Sequence, residues 1–129
     1  MSAICRTTTW LAAALAALGC LDPSAPPSGT YRFTPPAEYQ VLWASVEACS
    51  GLRGEFARVH WFLVPGRVIR FGNENLNGVW KSPHSIYLTE TAAVDSAGGY
   101  FTVRHEMLHD LIGHPGHPPV FATCHLLRF

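Results

Sequence analysis

Between residues 39 and 49 the apolar side chains recur at steps of three and four: Tyr39, Leu42, Trp43, Val46 and Cys49. Positions so spaced share one face of a helix, which turns every 3.6 residues. Thr34-Pro35 ahead of the run offers an N-cap and a proline at the first helical position, and Gly51 offers a stop. The pattern predicts an amphipathic helix whose apolar face lies on a sheet. Residues 58–71, RVHWFLVPGRVIRF, alternate instead. Val59, Trp61 and Leu63 face one way and His60, Phe62 and Val64 the other. Pro65-Gly66 turns the chain and residues 68–71 return, a predicted hairpin. Both faces of its first strand are apolar around Trp61, which predicts a central strand, with His60 a buried or edge histidine. Residues 72–78, GNENLNG, read as a solvated loop without the acidic spacing of a calcium site. A short strand is expected at residues 84–88, then a helix capped by Asp95 or Ser96. On that helix Val103, Met107, Leu108, Leu111 and Ile112 form one broad apolar arc. Arg104 falls inside the arc. His105 and His109 lie at its edge, with Glu106 and Asp110 beyond.

Composition narrows the class. The chain has 129 residues, 48% hydrophobic and 14% charged, which suits one packed domain. Its formal net charge of zero gives no basic field for nucleic acid. At the N-terminus a single cation, Arg6, precedes an apolar run over residues 10–18, too short to span a bilayer and fitting a signal-peptide core. The run ends in Ala17-Leu18-Gly19-Cys20, which resembles the lipobox of bacterial lipoproteins, although leucine is usual where Ala17 stands. That resemblance implies a signal peptide over residues 1–20, with Cys20 as the lipidated residue. A Pro/Ser-rich tether over residues 21–30 and a domain over residues 31–129 would follow. With Cys5 in the leader and Cys20 lipidated, Cys49 and Cys124 remain. In an oxidising compartment this even pair is expected to form a disulfide, stabilising by about 3–4 kcal/mol through its long loop. Two free thiols are the alternative.

The candidate chemistry lies in residues 104–117, RHEMLHDLIGHPGH. His105 and His109, four apart on a helix, can share one metal ion. Glu106 beside them can serve as general base, taking a proton from a water that the metal acidifies. A third ligand is His114, directly after Gly113, or His117, which has three more residues in which to swing back. The longer reach favours His117. Asp110 either orients a ligand or is solvated.

His105-Glu106-Met107-Leu108-His109, followed by Gly113 and His117, resembles the zincin metallopeptidases. It is similar in particular to small bacterial lipoproteins of zincin type with an HEMLH…GHP…F…C pattern, here continued by Gly116-His117-Pro118, Phe121 and Cys124. Two departures are clear. The third residue after His109 is Ile112 where metzincins have glycine, with Pro115 at their third-ligand position, and no methionine follows the helix. No glutamate lies downstream as in gluzincins.

The resemblance implies a minimal α+β zincin-like fold: a backing helix, a small, twisted, mostly antiparallel sheet and an active-site helix. It implies Zn2+ on His105, His109 and His117, with Glu106 catalytic. A peptide or protein substrate would pair with an edge strand at residues 85–88. Tyr100, His84 and His125 are candidate oxyanion donors. The function expected is peptide-bond hydrolysis in the bacterial cell envelope by a monomer, lipid-anchored or secreted. A non-catalytic zinc-binding lipoprotein is the rival class, and an envelope interaction module with incidental histidines a third.

Overall fold

The structure, a computed structural model, describes residues 25–128. The expected signal peptide and the lipidation site at Cys20 lie outside the described residues, as does the start of the tether. The described chain is an α+β domain. Its strands are β1 (Tyr31–Arg32), β2 (His60–Val64), β3 (Ile69–Phe71), β4 (Glu74–Leu76), β5 (Gly78–Lys81) and β6 (Ser85–Thr89). Its helices are α1 (Glu38–Ser50), α2 (Glu90–Ala93), α3 (Phe101–Ile112) and α4 (Val120–Thr123). No described helix is long and apolar enough to cross a membrane.

Four strands form a mixed sheet in the order β1-β2-β6-β5. β2 is central, as its two apolar faces predict: it pairs antiparallel with β1 and parallel with β6. That parallel pairing overturns the hairpin expected over residues 58–71. Both edges of β2 are occupied, so residues 69–71 find no partner there. They pair antiparallel with β4 in a separate two-stranded sheet. A parallel pair needs a long crossover, and the chain between β2 and β6 uses that length for the β3–β4 hairpin and for β5. Residues 72–78 are thus not a loop. Gly72-Asn73 is the two-residue turn of the hairpin, with Gly72 at φ 60 and Phe71 opposite Glu74.

The helices cover one face of the sheet. Tyr39, Trp43 and Val46 of α1 and Val103, Met107 and Leu108 of α3 share one core with Trp61, Trp80, Ile86 and Leu88. α1 starts at Glu38 rather than at Pro35, and ends on a left-handed Gly51 whose N–H reaches Glu47 O. Neither Asp95 nor Ser96 caps α3. The Asp95 carboxylate accepts from Gly98 N–H at 2.9 Å in the preceding turn, and Tyr100, at φ 52, starts the helix. The same turn accounts for Arg104, whose Nε donates to Gly99 O at 2.9 Å. α2 was not expected; its Thr89 side chain caps Ala92 N–H. The disulfide does form, joining Cys49 at the end of α1 to Cys124 after α4.

Candidate metal centre

α3 carries His105 and His109 one turn apart on the side facing β5. Each ring is fixed through its inner nitrogen. His105 Nδ1 donates to Leu126 O at 2.7 Å and His109 Nδ1 donates to His114 O at 2.8 Å. A carbonyl can only accept, so the proton sits on Nδ1 and each Nε2 carries a bare lone pair. Those two Nε2 atoms stand 3.2 Å apart, and His117 Nε2 is 3.0 Å from that of His105. Ligand nitrogens about 2.05 Å from a tetrahedral ion stand roughly 3.3 Å from one another. Three imidazole nitrogens thus converge at nearly the spacing a metal ion needs, and these three histidines could hold one. Burial lowers His105 below the usual imidazole range and pushes His109 down to about 4, keeping both in the neutral form a metal requires.

Beneath the cluster lies Phe121 of α4, fully buried, its ring centroid 5.0, 4.6 and 4.8 Å from those of His105, His109 and His117. The disulfide at Cys124 anchors this helix and the segment that presents Leu126 O. Of the two histidines after Gly113, His117 joins the pair. His114 turns back on its own loop, where its Nδ1 accepts from Gly116 N–H at 2.8 Å, and it contributes only its carbonyl.

Glu106 is buried between α3 and β5. A side chain at Gly78 would meet it: an added Cβ would lie 3.0 Å from Glu106 Cγ and 2.7 Å from Thr102 Cγ2. Desolvation pushes the Glu106 carboxyl up to about 8, against a hydrogen bond from the Trp80 main chain that lowers it. Glu106 and the three histidines line one cleft of about 280 Å³. Its far wall is Gly78, Val79 and Trp80 of β5 with Phe71, Glu74 and Leu76 of the hairpin.

Three expectations change here. β6 is interior, flanked by β2 and β5, so the edge strand beside the cleft is β5 rather than residues 85–88. Asp110 is buried, and its carboxylate hydrogen-bonds to none of the three clustered histidines. It accepts from Trp80 Nε1 at 2.9 Å and faces His84 Nδ1 at 3.2 Å, and the Trp80 ring so fixed stacks against His109. None of the candidate oxyanion donors lines the cleft. The Tyr100 hydroxyl donates to Glu38 at 3.0 Å, His84 is at Asp110, and His125 is exposed at φ 55. Sequence reasoning also passed over Gly78, Trp80 and the two orienting carbonyls. Main-chain atoms leave no mark in a sequence, but Gly72-Asn73 was a legible turn signal for the hairpin wall.

No protein-family model, curated protein or solved structure matches the chain.

Proposed function

We propose that this protein is a zinc-dependent metallopeptidase of zincin type that hydrolyses peptide bonds in the bacterial cell envelope. The carrying observation is that one cleft brings a buried carboxyl, Glu106, to three imidazoles whose Nε2 atoms converge. Three imidazoles, two of them, His105 and His109, with tautomers fixed by main-chain carbonyls, are a donor set suited to Zn2+. An ion held there supplies Lewis acidity, polarising a carbonyl and acidifying water. A nearby dication also favours the ionised form of Glu106 over the neutral form that burial favours. The ionised Glu106 takes a proton from the attacking water and returns it to the amine nitrogen as the C–N bond breaks. The free edge of β5 offers main-chain groups to an extended peptide, and Gly78 keeps that edge close to Glu106. The disulfide is at home in an oxidising, exported setting, in line with a signal peptide and a lipid on Cys20.

The test is Glu106→Gln. It is expected to keep about one zinc per chain while cleavage of a peptide library, followed by mass spectrometry, stops. Cleavage at the unaltered rate rules out the peptidase. A second reading, a non-catalytic zinc-binding lipoprotein, is favoured by one observation: among the described residues no tyrosine, arginine or lysine that would stabilise an oxyanion lines the cleft. Zinc bound by the native chain without cleavage of any peptide would select it.

A further inference from the structure

The face of the sheet away from the helices is open. Val64, Val79 and Tyr87 line a groove of about 410 Å³ there, bordered by Val68, Arg70 and Phe71 and by the first described residues, Ala25 to Ser28. Val68 and Phe71 are 47% and 55% exposed, neighbours on one segment. Two arginines interleave with them. Arg67 and Arg70 are exposed, and neither has a side-chain partner among the described residues. Every other described arginine meets a carboxylate, a carbonyl, an imidazole or an aromatic ring. On its other side Arg70 borders a polar pocket of about 270 Å³ with Gly72, Asn73 and Asn75. A guanidinium with two carboxamides matches the acceptor oxygens of a phosphate, and projecting apolar side chains between cations match a bilayer interface.

We propose that this face, carried by Arg67, Val68, Arg70 and Phe71, docks on an anionic phospholipid surface. A headgroup phosphate sits in the Arg70–Asn75 pocket, and Val68 and Phe71 enter the interface. Chain connectivity points the same way. Residues 25–28 border the groove, so residues 1–24, whose sequence holds the apolar run, join the described chain at this face. The five steps from Cys20 to Ala25 span at most about 18 Å. Docking does not depend on lipid at Cys20 or on the peptidase reading. It also sets the histidine cleft beside the bilayer, because Phe71 lines both cavities.

The test is co-sedimentation of the full chain with vesicles of phosphatidylcholine alone or mixed with phosphatidylglycerol. The apolar run at residues 10–18 binds both compositions, and Arg6 beside it adds an anionic preference common to every variant. The change between the native chain and the Arg67 and Arg70 variants therefore isolates the basic face. The native chain is expected to gain a roughly thirtyfold preference for the anionic vesicles from Arg67 and Arg70, about fivefold for each. Arg67→Glu with Arg70→Glu should abolish that preference, and salt should weaken it in the native chain. Phe71→Ser should weaken binding to anionic vesicles while leaving the preference in place. If the double variant does not fold, Arg67→Gln alone carries the test, with an expected fivefold loss. Equal binding to both compositions, or a preference unchanged in the arginine variants, overturns the proposal. Binding lost to inorganic phosphate at low concentration also overturns it, since a bilayer contact with apolar insertion would survive.

Discussion

On one side of the cleft His105 and His109 are held by α3, by two main-chain carbonyls, by the Phe121 ring and by a disulfide-anchored tail. On the other side Phe71, Glu74 and Leu76 come from a hairpin that pairs with no third strand among the described residues. The first wall fixes ring orientation and tautomer, as a metal ligand demands. The second exposes most of its side chains and anchors itself mainly through the buried Ile69. Precision is concentrated where a metal ion tolerates little error, and compliance where a larger, variable molecule would be met.

Substitutions can break or sharpen this contrast. The largest effect is expected on the braced wall. His109→Ala should take metal content from about one ion per chain to nearly none by elemental analysis, whereas His114→Ala should leave it close to native. Metal retained by His109→Ala would mean the cluster is not the centre. Next comes the brace itself. Replacing Cys49 and Cys124 by alanine opens a loop of 75 residues, which should cost about 4 kcal/mol and lower Tm by about 20 °C. A shift of only a few degrees would show that packing, not the bond, holds the tail. Gly78→Ala lies where the walls meet. Its Cβ must displace Thr102 or Glu106, for a loss of about 1–3 kcal/mol; unchanged stability and activity together would mean that α3 yields easily. The smallest effect belongs to the hairpin: Glu74→Gln should change stability by less than about 0.5 kcal/mol. Thermal melts that place it near Gly78→Ala would remove the contrast between the walls.

The same division runs through what the sequence disclosed. α1 and α3 follow from apolar spacing, because each buries one stripe on one core. The register of α3 puts His105 and His109 together, and cysteine accounting pairs Cys49 with Cys124. The other wall was hidden for a physical reason. Whether residues 69–71 pair with β2 or with β4 depends on which edges of β2 are already taken. β6 takes one of them from some twenty residues away, and nothing local records that. The identity of the edge strand was lost in the same way, since β5 and β6 are both short and apolar and only strand order separates them. Asp110 shows the limit at single-residue scale. Its place beside His109 suggests a partner for a ligand, yet its carboxylate reaches the Trp80 indole and His84 across the sheet.

Leu126 O, which orients His105, comes twenty-one residues after it. A chain made from its N-terminus contains His105 and His109 before His117, the Phe121 ring or that carbonyl has been added. Between the addition of residue 109 and that of residue 126 the chain therefore has both helix histidines but not the whole arrangement around them. The tail thus sets an order: the three-histidine arrangement, and any ion it would hold, is complete only once residue 126 is in place.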